Sequence, residues 1–174
     1  MIITISRQYG SGGSQVAKIL AERMGVWCYD RDILTIAAER IGNEELTEDT
    51  INDLNYKRND VASAGITGVM GMGNIPIYNQ MFLEQAKIIR KLANYGSAVF
   101  LGRCADYILK DIKNCTSVYL YADREFRKNR VKEIYGSNAE IMDKEEKNRA
   151  DYYNYYTGNR WGCLLYTSDA ADDR

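Results

Sequence analysis

A three-layer α/β fold on a parallel sheet is what this sequence predicts, and three observations carry the prediction. Short apolar runs alternate with segments of helical spacing along the chain. The runs are continuously apolar rather than alternating, the pattern of strands buried on both faces. The first run also leads through a glycine-rich turn straight into a helix, and ligands of such sheets bind where strands end.

The elements follow in order. Residues 2–5 form an apolar strand ended by Ser6, and from Ser14 the positions Val16, Ile19, Leu20, Arg23 and Met24 share one helical face closed by Gly25. VWCYD is a short second strand, and DRDILTIAAERIG a helix that begins at Asp30 or Asp32 and stops at Gly42. Residues 43–78 are polar, then glycine-rich, and irregular. NQMFLEQAKIIRKLANYG sets Met81, Phe82, Gln85, Ile88, Ile89 and Leu92 on one face, with Gly96 as the stop. SAVFLG is a fully apolar strand, RCADYILKD a short helix, TSVYLYA a fourth strand, and DREFRKNRVKEIYG a helix capped by Asp123. NAEIMDKEEKNRADYYNYYTG is a charged helix with four tyrosines, which read as packing between helices.

Composition narrows the functions open to this fold. The chain has 174 residues, 45% hydrophobic and 27% charged, enough for one domain with a sizeable core. A net charge of −1 provides no global field for nucleic acid, so an anionic partner must be small and met by clustered arginines. The absence of histidine removes the commonest general base and zinc ligand, leaving carboxylates, cations and dipoles for chemistry. Cys28, Cys104, Cys115 and Cys163 form no CxxC pair and read as reduced thiols of a cytoplasmic protein. The nearest approach to a membrane span, VASAGITGVMGMGNIPI, is broken by glycines, an asparagine and a proline.

RQYGSGGS is the stretch that carries chemistry. On the phosphate-cradle template GxxxxGK[ST], Arg7 takes the first glycine, Gly12 the second, Gly13 the lysine and Ser14 the magnesium-facing hydroxyl. The lysine is missing, yet GSGGS still offers many unobstructed N–H groups to a phosphate, from Gly10, Ser11, Gly12, Gly13, Ser14 and Gln15. Arg7 stands at the entrance of the turn and is the candidate replacement cation, with a structural contact to a nearby carboxylate as the alternative. Lys18, more than a turn into the helix, is the poorer candidate. Arg103 follows a buried strand where an anion would explain a cation. Arg124, Arg127 and Arg130 read as a solvated helix face, and Asp30 reads equally as a helix cap or a site residue.

Together, ITISRQYGSGGSQVAKILAERMG followed by YD, VFLGRCADYIL and the arginine-bearing YYNYYTGNRWG resemble the cytidylate kinase-like family of P-loop nucleoside monophosphate kinases, over residues 1–162. The resemblance implies phosphoryl transfer from ATP with Mg²⁺ to a small nucleotide, CMP or dCMP by family name. It implies donor phosphates on Gly10, Ser11, Gly12, Gly13, Ser14 and Gln15, with Ser14 toward the metal. The acceptor is implied at Asp30, Gly102, Arg103 and Asp106. Catalytic cations are implied at Arg103 and Arg149, beside the Arg7 that the turn itself offers, with Arg130, Lys147 and Arg160 as further lid groups. GRCAD stands where cytidylate kinases carry GRD, a shift at the base-contacting position. An acceptor-binding insertion is implied at about 43–80 and a lid at about 133–149.

Two rivals remain open: a nucleotide-binding sensor with little turnover, favoured by the absent lysine, and a dinucleotide-dependent oxidoreductase, disfavoured because GSGGS lacks the GxGxxG spacing. CLLYTSDAADDR departs from the family pattern and resembles a translated sequencing adapter, so residues 163–174 are expected to carry no function.

Overall fold

A computed structural model describes residues 1–42, 77–136 and 139–163. Strands β1 (Ile2–Arg7), β2 (Trp27–Tyr29), β3 (Ala98–Leu101) and β4 (Cys115–Leu120) form one sheet in the order β2-β3-β1-β4, with every pairing parallel. Helices α1 (Gly13–Met24), α2 (Asp32–Ile41), α3 (Ile77–Tyr95), α4 (Ala105–Ile108), α5 (Arg124–Tyr135) and α6 (Ala139–Thr157) complete the described fold. The predicted parallel α/β architecture is therefore the observed one.

Successive side chains of β1 and β3 leave the sheet on opposite faces and build two cores. Ile5, Val99 and Leu101 face α1, where Ala17 and Ala21 are buried with them. Ile2, Ala98 and Phe100 face the opposite layer, where α2, α3 and α6 contribute Ile33, Leu34, Met81, Ile88, Ile89, Tyr152 and Tyr153. Chain direction explains the edge that matters: β1 and β4 run in register from Ile2 beside Cys115 to Arg7 beside Leu120, so their carboxyl ends and the loops that follow lie together.

Glycine marks the helix ends as expected. Gly25 and Gly42 take left-handed φ of 63° and 65°, a conformation that side chains resist, and their N–H groups close the last turns of α1 and α2. The face of α1 differs from the expected one. Val16 and Ile19 are 44% and 43% exposed, while Gly13, Ala17 and Ala21, at intervals of four, are the buried line. The helix sits so close to the sheet that only small residues fit between. Asp123 occupies the N-cap position of α5 but makes no side-chain capping bond.

Tyr152, Tyr153 and Tyr156 of α6 pack between helices, while Tyr155 is exposed. The Tyr156 ring stacks on Phe82 at 4.0 Å between centroids, and Gln85 donates from Nε2 to the Tyr152 hydroxyl at 3.3 Å. Most of the expected insertion, 43–76, lies outside the described residues. The expected lid spans the end of α5 and the first half of α6, with 137–138 outside the description. Of the tail, only Cys163 is described, and it packs against the larger core.

Candidate phosphate and acceptor site

Gly10 and Gly12, with φ of 80° and 85°, bend the turn after β1 back toward α1. The bend is held by Gln8: its carbonyl accepts from the Ser11 N–H at 3.3 Å and the Ser11 hydroxyl at 2.8 Å, and its Oε1 accepts from the Ala122 N–H at 3.2 Å. A side chain at Gly10 is excluded, because a Cβ there would lie 2.8 Å from Val131 Cγ2 and 2.9 Å from the Arg127 carbonyl oxygen. Here glycine is required both by φ and by the close approach of α5. Gly12 is the N-cap of α1 without a side-chain cap, so the helix N-terminus keeps donors for an outside anion.

A cavity of about 410 Å³ opens over this turn, lined by its glycines, Ser14 and Gln15 and by the cations Arg7, Lys18, Arg130 and Arg149. Among the expected loop residues, Gly10, Gly12, Gly13, Ser14 and Gln15 line it, while Ser11 turns its hydroxyl to Gln8. Lys18, weighed as too far along the helix, also lines it. It stands one turn after Ser14, and residues four apart share a helix face, so spacing alone could have placed it there. Arg130, read as part of a solvated face, is tied into the site by its Nη2, which donates to Gln15 Oε1 at 2.7 Å.

The missing lysine has a steric explanation. A Cβ on Gly13 would stand 2.5 Å from Arg7 Cγ and 2.7 Å from Arg7 Cβ. The arginine stem fills the space where a lysine would have to leave the helix. Arg7 is only 6% exposed, and its Nη2 lies 3.9 Å from Asp30 Oδ1. Arg7 thus lines the cavity and faces a carboxylate.

Helix α6 is fastened to the turn by two side chains one turn apart. Arg149 donates from Nη1 to the Arg7 carbonyl at 3.2 Å and lies 5.0 Å over the Tyr9 ring. Glu146 accepts from the Tyr9 N–H at 2.7 Å and from Trp161 Nε1 at 3.1 Å. Nothing in the sequence pointed to Glu146, because its partners lie 137 and 15 residues away. Arg127 holds the turn from α5, donating to the Ala122 and Tyr9 carbonyls at 3.1 Å and 3.3 Å.

On the other side of β1, β3 runs into an unusual turn. Gly102, Arg103 and Cys104 take φ of 72°, 60° and 56°; among the described residues the latter two are the non-glycine positions with positive φ. Such conformations cost on the order of 1–3 kcal/mol each and concentrate where function fixes the backbone. The turn is anchored by the Gly102 N–H, which donates to the Ile5 carbonyl at 2.8 Å. Arg103 is 2% exposed.

Asp106 does not join the phosphate cavity. Helix α4 turns it toward a second hollow of about 270 Å³, beside Lys110, Cys115, Ser117, Tyr153 and Asn159. Its Oδ2 accepts from the Tyr153 hydroxyl at 2.8 Å, and burial raises its pKa above the usual carboxylate range. Among the described residues no group of three or more His, Cys, Asp or Glu gathers as metal ligands, and no helix is long and apolar enough to cross a membrane.

Comparison with known proteins fits this geometry. An uncharacterized protein from Eubacterium ventriosum ATCC 27560 superposes with a TM-score of 0.65 and 29% identity, over 93% of this chain and 81% of that one. TT1252 from Thermus thermophilus gives 0.57 at 19% identity, over 84% of this chain and 78% of that one. A gluconokinase from Sinorhizobium meliloti 1021 gives 0.50 at 16% identity, over 84% and 73% respectively, a likeness of fold. No curated protein matches the chain. The profile of the cytidylate kinase-like family spans residues 2–169, from the first strand through the glycine turn, the turn after β3 and Arg149 of α6. By that match this chain, with helices on both faces of a parallel sheet, belongs to the cytidylate kinase-like family.

Proposed function

We propose that the chain transfers a phosphoryl group from ATP to a nucleoside monophosphate, CMP or dCMP first among them, in the cytoplasm. One observation carries the reading: a glycine turn at a helix N-terminus opens on a cavity lined by Arg7, Lys18, Arg130 and Arg149. That arrangement concentrates positive potential where N–H donors point outward, which suits a polyphosphate.

The residues present fit the donor. Side chains are absent at Gly10, Gly12 and Gly13, leaving room for phosphate oxygens against the backbone, and Ser14 presents a hydroxyl at the first turn of α1. Ser14 is the residue that would hold Mg²⁺, and the ion would supply charge neutralisation to the donor. The chain's own part is positioning. The N–H groups of 10–15 cradle the donor, and Arg7 and Arg149 offer planar forks that grip phosphate oxygens in two places. Arg103, with Gly102 and Asp30, faces the acceptor. No histidine is needed, because phosphoryl transfer depends on alignment and charge neutralisation more than on proton abstraction. Asp106, assigned by resemblance to the acceptor base, is read here as support behind the Arg103 turn.

An ADP-release assay across CMP, dCMP, UMP and AMP tests the proposal. Acceptor-dependent ADP release with a preference for CMP or dCMP is expected. ATP binding without turnover on any acceptor would replace the enzyme with a nucleotide sensor.

A further inference from the structure

Glu146 brings a negative charge to the glycine turn, beside a cavity whose charged lining residues are all cations, and it does not line that cavity itself. Its charge opposes an anionic ligand, so its bonds must account for its place. Both of its oxygens accept from N–H groups: Oε2 from the Tyr9 main chain at 2.7 Å and Oε1 from the Trp161 indole at 3.1 Å. Two donors on two oxygens demand a carboxylate, because an amide of the same shape would turn its NH₂ toward one of them. Glutamine does not fit the bridge.

The far end of the bridge is a fixed post. Trp161 donates its main-chain N–H to Asn154 Oδ1 at 2.9 Å, and its ring meets Tyr119 and Tyr153 edge-on at 5.5 Å and 5.3 Å between centroids. The indole therefore orients the carboxylate, and the carboxylate carries that orientation to the turn. Three residues further along the same face of α6, Arg149 gives Nη1 to the Arg7 carbonyl. The helix thus meets the turn at two main-chain groups, the Tyr9 N–H and the Arg7 carbonyl, and two anchors set its roll more tightly than one. The Tyr9 carbonyl is taken from α5 by Arg127 at 3.3 Å, so the main chain of Tyr9 is bonded on both sides. The bond from the Tyr9 amide to a charged acceptor is the strongest of these by type.

We propose that Glu146 is a positioning residue for phosphate binding: bridged to Trp161, it holds the first half of α6 against the start of the glycine turn and so sets Arg149 at the cavity. The inference rests on the kinase reading of that site and deepens it by naming the contact that places one of its cations. It also has a sign that charge alone cannot give. Removing this carboxylate should weaken anion binding, although the variant has one negative charge fewer.

Calorimetry with inorganic tripolyphosphate, without metal or acceptor, tests this in double-mutant cycles. Glu146→Gln should bind tripolyphosphate about threefold to tenfold more weakly than the parent chain. Unchanged or tighter binding would overturn the proposal, since Glu146 would then act through its charge or not at all. Glu145→Gln removes an equal charge from the neighbouring residue, outside the bridge, and should bind at least as tightly as the parent; a matching loss there would overturn the proposal too. In an Arg149→Met background the Glu146→Gln loss should largely vanish, and an equal loss in both backgrounds refutes the route through Arg149. Trp161→Phe supplies a rescue that a general loss of packing would not give. With the indole N–H gone, the glutamine of Glu146→Gln can turn its one oxygen to Tyr9, so the substitution should add little further loss; an undiminished loss refutes the bridge. If Arg149→Met does not fold, this second cycle decides alone. The ADP-release assay is separate, so coupled cycles without turnover would sink the kinase reading alone, and turnover with uncoupled cycles would sink only this inference.

Discussion

Two hollows among the described residues treat charge in opposite ways. Over the glycine turn, Arg7, Lys18, Arg130 and Arg149 are gathered round outward-pointing amides, a surplus of positive potential. In the hollow beside α4, the one carboxylate is buried and bonded to the Tyr153 hydroxyl. Burial there favours the protonated acid. Charge is sustained where a ligand can neutralise it and suppressed where packing alone decides. The first hollow is organised for an anion, the second for the cohesion of α4 with α6.

Replacing Arg7 should break the first hollow most severely. Arg7→Ala is expected to lower kcat by about 10²-fold or more, on the order of 3 kcal/mol of transition-state stabilisation, with the melting curve little changed. Adding Gly13→Lys to that variant should recover part of the rate, since the stem that excludes a side chain at 13 is gone. Steady-state kinetics on both variants decide it, and a fully active Arg7→Ala chain would shift the role to Arg149.

Gly10→Ala probes the turn rather than its cations. The φ of 80° and the contacts at 2.8 Å and 2.9 Å leave an added methyl no room. A loss of roughly 2–3 kcal/mol is expected, seen as a fall in Tm of roughly 4–12 °C. An unshifted melt would mean that α5 yields.

Asp106→Asn sharpens the contrast from the other hollow. Its folded pKa is raised above the unfolded one, so the native state binds more protons between the two values. The group's contribution to stability is fully present below the unfolded pKa and is lost as pH rises through the folded one. Asparagine can accept the Tyr153 hydroxyl without ionising. The variant should gain on the parent chain as melts move from about pH 4 to about pH 7, by on the order of 1 kcal/mol. A pH-independent difference would contradict the buried acid.

The smallest effect belongs to a pair in neither hollow. Arg124 and Asp143 meet at 2.6 Å between α5 and α6, with side chains 62% and 58% exposed. Asp143→Asn should change stability by less than about 0.5 kcal/mol. A larger loss by denaturant titration would give the contact between α5 and α6 a structural weight that its exposure does not suggest.

Local rules made much of this legible. Apolar runs located the four strands among the described residues, and glycines at 25 and 42 marked where helices stop, because left-handed backbone is written into composition. What escaped depended on approach distance and rotation. Periodicity placed Val16 and Ile19 inward, but the closeness of α1 to the sheet selects small residues instead. The family resemblance, not any local pattern, put Asp106 at the acceptor; in the fold α4 follows two left-handed residues and turns its carboxylate to the hollow beside Tyr153. Glu146 joins elements far apart in sequence, and no local pattern records such a meeting.

The Arg7 stem lying across Gly13 has a consequence for how such loops exchange residues over time. One pocket of space serves two positions six residues apart, so it admits a long side chain from the strand or from the helix, never from both. A loop that acquires a lysine at 13 must first shed the arginine at 7, passing through a chain that has neither cation. A loop with both is blocked by volume before charge enters. The two positions are therefore expected to vary as a linked pair among related sequences, glycine accompanying arginine and lysine accompanying a small residue. Intermediates between the two designs should be rare because each gives up the cation before regaining it.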